Sequence, residues 1–158
     1  MSGPLVLIAD DNDDILDSHA DLLTAAGYRV AKARNGQEAL ELALEQRPDV
    51  ILMDLDMPVL DGWEATRRIR ADLRTHRVPI IAFTSYGLRR YIDRSFEAGC
   101  TAFLDKPVHA RMLLAEVDRA LARRAPPLGA VVDVVQDVGS GPALQRPTPP
   151  RTPPPHRR

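Results

Sequence analysis

The sequence predicts an α/β fold in which a five-stranded parallel sheet carries helices on both faces, the doubly wound (βα)5 arrangement. Five short strand-like segments, four of them apolar runs, alternate with segments whose apolar residues recur at helical spacing. Several of these runs are continuously apolar, which is typical of strands buried on both faces. Polar or charged residues follow four of the five strand-like segments, at the sheet edge where such folds bind ligands.

The first half of the chain supplies three strands and two helices. Apolar runs predict strands at 5–9 and 50–53, and the segment 28–33 is a further strand candidate. Leucine and alanine at helical spacing predict helices over 13–26 and 36–46. A glycine follows the first helix and a proline closely follows the second, and both residue types end helices.

The second half repeats the alternation. Apolar runs predict strands at 79–83 and 101–104. Helix-forming segments predict helices over 61–71, 88–98 and 108–124. Because strands and helices alternate at these lengths, we expect a parallel sheet covered by helices on both faces.

Three carboxylates are expected to converge at the carboxyl edge of this sheet: Asp10, Asp11 and Asp54. Uncompensated, such a cluster costs several kcal/mol in a low-dielectric site. Mg²⁺ is the natural compensating ion where phosphate is handled. A carboxylate can also attack phosphorus to give an aspartyl-phosphate. Thr84 and Lys106, at two other strand ends, would then hydrogen-bond and neutralise the phosphoryl oxygens.

Lysine is rare in this chain, which contains only Lys32 and Lys106 among 21 basic residues. A compact ammonium suits a small site better than the planar fork of arginine. The choice of lysine at position 106 therefore supports a role in the site.

Four motifs stand in order at the predicted strand ends. They are IADDN at 8–12, LMDLDMPVLDG at 52–62, IAFT at 81–84 and FLDKP at 103–107. With these motifs, the chain from about residue 5 to residue 124 resembles the receiver domain of bacterial two-component response regulators, a flavodoxin-like fold.

The resemblance implies a role for each acidic residue of the motifs. Asp54 would be the phosphoacceptor. Asp10 and Asp11 would hold Mg²⁺ together with Asp54 and the backbone carbonyl of Asp56.

The remaining motif residues would bind and report the phosphoryl group. Thr84 and Lys106 would contact it, and Thr84 with Phe103 would form the conformational switch. Pro107 occupies a position where the family usually has a cis peptide bond.

The implied function is phosphorelay signalling rather than enzymatic turnover, with at most weak self-phosphorylation and autodephosphorylation. The phosphodonor would be a sensor histidine kinase or a phosphotransfer protein, and a downstream protein target would bind residues 88–124. The resemblance also allows a phosphorylation-dependent homodimer.

Neither DNA nor membrane binding is expected, since the formal net charge is −1 and the N-terminus shows no signal segment. We therefore expect a cytoplasmic protein.

Composition divides the chain into a domain and a tail. Residues 1–125 have a net charge of −3, whereas 126–158 have a net charge of +2 and contain nine of the 14 prolines. We expect a receiver domain over 1–125 and a Pro/Arg-rich, largely disordered tail over 126–158. The valine-rich stretch at 128–138 is compatible with a short strand or a docking segment.

Three alternatives stay open from the sequence. The acids from residue 10 onward are also typical of a helix N-terminus. The DLD sequence at 54–56 is shared with haloacid-dehalogenase-like phosphatases, although Pro58 and the missing second acidic motif disfavour that class. A pseudo-receiver would have the same fold without phosphorylation. Two other predictions are structural: His19 is a surface or helix-face residue, and arginines such as Arg70 lie on solvated helix faces.

Overall fold

The computed structural model describes residues 3–85 and 89–123, and they form the predicted alternation of strands and helices. The elements are β1 (Leu5–Ala9), α1 (Asp13–Ala25), β2 (Arg29–Ala33), α2 (Gly36–Gln46), β3 (Val50–Asp54), α3 (Gly62–Ala71), β4 (Ile80–Thr84), α4 (Arg89–Ala98), β5 (Ala102–Asp105) and α5 (Ala110–Ala122). The strands pair in parallel in the order β2-β1-β3-β4-β5. The predicted doubly wound α/β fold is therefore confirmed.

The sheet separates two hydrophobic cores, because successive strand residues point to opposite faces. In β1, Leu7 and Ala9 pack on the side of α2, α3 and α4. Val6 and Ile8 pack on the other side, against α1 and α5. All five residues of β1, of β3 and of β4 are buried, which explains their continuous apolar runs.

Three helices begin at polar side chains that cap their first turn. The side chain of Asn12 accepts a hydrogen bond from the Ile15 N–H at 3.1 Å, at the start of α1. Asn35 and Asp61 do the same for α2 and α3, each over 2.8 Å. Each cap stabilises its helix by about 1 kcal/mol. The helix starts are thereby fixed beside the loops that leave the carboxyl edge of the sheet.

Gly62 lets the start of α3 approach the end of β3. Its N–H donates to the Leu55 carbonyl at 2.9 Å. A Cβ at this position would lie 2.2 Å from the backbone oxygen of Asp54, a distance that no side chain tolerates. The glycine is therefore required by close backbone packing next to Asp54.

Arg70 departs from its prediction as a solvated arginine. It is half-buried, and its Nε donates to the Gly99 carbonyl at 2.9 Å. Its Nη1 donates to the carbonyls of His76 (3.1 Å) and Val78. Loop carbonyls that face inward need donors, and this one guanidinium supplies them to the loops before β4 and β5.

The tail predicted for 126–158, including the stretch at 128–138, lies outside the described residues, as does the predicted start of α4 at residue 88. Within 3–85 and 89–123, no helix combines the length and the apolar character needed to cross a bilayer.

Val59 has a strained backbone, and removing that strain should stabilise the protein. Its φ is 68° and its side chain is 81% exposed, in a tight turn where the Leu60 N–H donates to the Pro58 carbonyl at 2.8 Å. β-Branched residues are disfavoured at positive φ. We expect Val59→Gly to raise the free energy of unfolding by about 1 kcal/mol, measured by urea denaturation.

Val59→Ala is the matched control, because alanine removes the exposed side chain but keeps the Cβ that causes the strain. It should gain less than half as much stability as glycine does. Equal gains in the two variants would assign the effect to the exposed isopropyl group and contradict the backbone explanation.

Candidate functional site

Parallel pairing brings the ends of β1, β3 and β5 to one edge of the molecule. Asp10 directly follows β1, Asp54 is the last residue of β3, and Lys106 directly follows β5. Asp10 is fully buried and Asp54 is 4% exposed, whereas Asp11 is exposed. The three predicted carboxylates and the predicted lysine are therefore assembled at one place.

Lys106 forms ion pairs with both buried carboxylates. Its Nζ lies 2.8 Å from Asp10 Oδ2 and 3.3 Å from Asp54 Oδ2. Its side chain is only 11% exposed, so these pairs are weakly screened by solvent. One cation thus faces two buried anions.

The second oxygen of each buried carboxylate accepts a backbone hydrogen bond. Asp10 Oδ1 accepts from the Asn12 N–H at 2.9 Å, and Asp54 Oδ1 accepts from the Asp56 N–H at 3.3 Å. In both cases the donor lies two residues later, in the loop that leaves the strand. These bonds orient the carboxylates and shape the loops that surround the site.

The charge balance of the site raises the pKa of Asp54 above its ordinary value. Burial is the main cause, and the negative charge of Asp10 adds to it. The ammonium of Lys106 and the Asp56 N–H act in the opposite direction without cancelling the rise. The ionised form of Asp54 is therefore held in the fold at a cost in free energy.

The acidic cluster fits a small, hard cation. One oxygen from each of Asp10, Asp11 and Asp54 lies within 4.8 Å of the others. An octahedral Mg²⁺ with bonds of about 2.1 Å places its ligand oxygens about 3 to 4 Å apart, so small side-chain rotations suffice. Carboxylate oxygens are also the ligands that this ion prefers.

The other predicted residues lie on β4, on β5 and in the segments that follow β3 and β5. Thr84 ends β4, is 1% exposed, and its carbonyl accepts from the Lys106 N–H at 3.0 Å. Phe103 in β5 is partly buried against the core on the α4 side. The Lys106–Pro107 peptide bond is cis, and the side chain of Asp56 is exposed.

The helix N-terminus alternative holds for some of the early acids but not for Asp10. Asn12 is the cap of α1, and Asp13 and Asp14 form its first turn, where acids are favourable. Asp10 precedes the cap and pairs with Lys106 instead.

Two aromatic residues of this region were not singled out by the sequence as part of the site. The ring centroid of Phe83 lies 4.8 Å from Lys106 Nζ. His19, predicted only as a surface or helix-face residue, meets the Phe83 ring edge-on at 5.7 Å. Helical spacing places His19 on the inner side of α1, but it gives no information about which strand residue it meets.

Comparison with known proteins agrees with this geometry. The family model of the response regulator receiver domain matches residues 6–118. The polar-differentiation response regulator DivK of Brucella anthropi is 39% identical over 103 residues, covering 65% of this chain and 84% of that protein. DivK of Brucella ovis is 37% identical over the same length.

Solved structures show the same fold. The chemotaxis protein CheY4 of Vibrio cholerae has a TM-score of 0.73 and 32% identity, covering 76% of this chain and all of that chain. The receiver domain of the sensor histidine kinase PA1611 of Pseudomonas aeruginosa has a TM-score of 0.73 and 37% identity, covering 77% of this chain and 99% of that chain. That structure has a magnesium ion coordinated in its active site cleft. These likenesses leave the phosphatase alternative without support. The chain therefore belongs to the response regulator receiver domain family, whose members signal in phosphorelays.

Proposed function

We propose that Asp54 accepts a phosphoryl group from the phosphohistidine of a sensor kinase or phosphotransfer protein. The observation that carries this proposal is the contact of Lys106 Nζ with both Asp10 and Asp54 at the carboxyl edge of the sheet. In the transfer, a carboxylate oxygen of Asp54 forms a bond to phosphorus. The phosphorus–nitrogen bond breaks, and its electron pair stays on the imidazole of the donor.

Asp10 and Asp11 would hold Mg²⁺ with Asp54 and the carbonyl of Asp56, a set supported by the clustering of the three carboxylates. When bound, Mg²⁺ would neutralise negative charge on the carboxylates and on the phosphoryl oxygens. The chain's own contribution is to fix the nucleophile: the Asp56 N–H holds one oxygen of Asp54 and leaves the other beside Lys106.

Lys106 and Thr84 would bind the phosphoryl group after transfer. The ammonium already lies in the site and would move from two carboxylates to the new phosphoryl oxygens. Thr84 lies at the end of β4, next to β3, where its hydroxyl can donate a hydrogen bond to the same group.

The signal would leave through the surface formed by residues 88–124, with Thr84 and Phe103 as the switch. The partial burial of Phe103 supports this role, because a partly buried ring can turn either inward toward the core or outward toward solvent. A downstream protein, or a second phosphorylated copy, would bind there, and no DNA contact is proposed.

We place this signalling in the cytoplasm, where ATP-dependent kinases act. The receiver domain would occupy 1–125, followed by the 126–158 tail.

The first test is phosphorylation by a small donor. Purified protein is incubated with Mg²⁺ and acetyl phosphate, and its intact mass is measured. We expect the wild type to gain one phosphoryl group, with no gain in Asp54→Asn or in EDTA, because the nucleophile or the metal is then missing. Slow release of free phosphate from the labelled protein would show that phosphorylated Asp54 undergoes weak autodephosphorylation, as proposed.

Asp56→Asn is the matched control, because it changes a neighbouring carboxylate while keeping the backbone groups proposed to act. It should still gain one phosphoryl group. Equal labelling of wild type and Asp54→Asn would place the phosphoryl group elsewhere and overturn the assignment. Absence of any adduct would favour the pseudo-receiver alternative.

The raised pKa of Asp54 predicts how stability depends on pH without metal. The folded state holds the Asp54 proton more tightly than the unfolded state, whose carboxyl pKa is about 3.9. Stability from this group is therefore lost as pH rises above about 4 and through the folded pKa. In EDTA, we expect Asp54→Asn to exceed the wild type in unfolding free energy at pH 8 by about 1 to 2 kcal/mol, and by less at pH 5.

Urea denaturation at the two pH values, with and without Mg²⁺, checks this expectation. Mg²⁺ should stabilise the wild type more at pH 8 than at pH 5, because it competes with protons for the carboxylates. An Asp54→Asn variant that is less stable than the wild type at pH 8 in EDTA would contradict the charge balance described here.

A further inference from the structure

Two carboxylates form ion pairs with the ammonium of Lys106. Its two carboxylate partners lie at 2.8 and 3.3 Å. The lysine also borders a pocket of about 330 Å³ between α1, the end of β4 and the loop after β5, lined by Ile15, His19, Ser85, Lys106, Pro107 and Val108. The pocket leaves space beside the lysine, so we expect the position of its ammonium to depend on specific contacts.

Phe83 provides one such contact. Its ring centroid is 4.8 Å from Lys106 Nζ, within the range of a cation–π interaction. The ring is 1% exposed, so it cannot turn away into solvent. Burial also removes the water that would weaken the attraction between ring and ammonium.

His19 supports the Phe83 ring. The two rings meet at 64°, with centroids 5.7 Å apart, an edge-to-face arrangement. Burial lowers the pKa of His19 below its ordinary value, opposed by Asp10 and assisted by Lys106. Its Nδ1 is buried and, within the described part of the chain, has no hydrogen-bond partner. A neutral imidazole packs on the ring without adding a positive charge beside Lys106.

We propose that Phe83, supported by His19, is a positioning residue that keeps the Lys106 ammonium between Asp10 and Asp54. This inference rests on the proposed function, because its benefit is realised when Lys106 meets the phosphoryl group. A lysine already held at the nucleophile needs little rearrangement during transfer. Without the ring, the ammonium can swing toward the pocket, and transfer slows.

A double-mutant cycle tests the coupling between ring and ammonium. Phe83→Leu keeps an apolar side chain in the core but removes the ring, and Lys106→Met removes the charge. We expect Phe83→Leu to slow acetyl phosphate labelling by about 3- to 10-fold in the wild type. In the Lys106→Met background, the same change should alter the rate by less than about 2-fold. An equal loss in both backgrounds would make Phe83 a core residue only and overturn the proposal.

Two His19 variants extend the cycle at a partly exposed position, where misfolding is a smaller risk. His19→Phe keeps an edge-to-face partner for Phe83 and should label within about 2-fold of the wild type. His19→Ala removes that partner and should slow labelling, again only when Lys106 is present. Slowing by both variants to the same extent would refute the supporting role of the ring.

A readout without phosphorylation separates this inference from the proposed function. The melting temperatures of wild type, Phe83→Leu, Lys106→Met and the double variant are compared in EDTA. We expect the two single shifts to differ from additivity by about 2 °C or more, because the variants remove the same contact. If no protein is labelled but the shifts are non-additive, the proposed function fails and the positioning contact stands. Additive shifts together with normal labelling would refute the positioning contact alone.

Discussion

The site depends on an unequal charge balance: two buried carboxylates share one ammonium. Asp10 directly follows β1 and Asp54 ends β3, and because these two strands are neighbours, the sheet brings the two buried carboxylates together. Lys106 relieves part of the repulsion through its two ion pairs, and two backbone N–H groups relieve some of the rest. The remaining cost makes the site receptive to a cation or to anything that changes the charge on Asp54.

The scaffold can carry this cost because the strands beneath the site are firmly packed. β1, β3 and β4 are buried along their whole length, between two separate hydrophobic cores. Burial of large aliphatic side chains contributes about 1.5 to 3 kcal/mol each. Gly62 adds geometric control, because it lets α3 start directly against the Asp54 peptide.

The sequence predicts the fold and the acidic cluster well for physical reasons. Buried parallel strands must be apolar throughout, and their ends meet at one edge, so the residues after each run are expected to be neighbours. His19 and Arg70 could not be predicted in this way. Each depends on a residue far away in sequence, Phe83 and Gly99 respectively, and helical spacing gives a face without naming what that face meets. The positive φ of Val59 is likewise a property of the turn around it.

Phosphorylation would act on a structure in which the helices differ in how many apolar residues they bury against the sheet. α1 buries Leu16 and Leu23 against the sheet, whereas the buried residues of α4 are only Ser95 and Ala98. α4 is attached instead through its surface: Tyr91 stacks on Trp63 at 5.6 Å, and Arg94 lies over the same indole at 4.2 Å. Elements with little buried apolar area are the ones that move at the lowest free energy. Because Trp63 directly follows Gly62, the contact that holds α4 starts one residue from the glycine packed on Asp54. We therefore expect a change in charge at Asp54 to reach α4 through this contact, since α4 has the fewest buried residues among the helices of the described part of the chain.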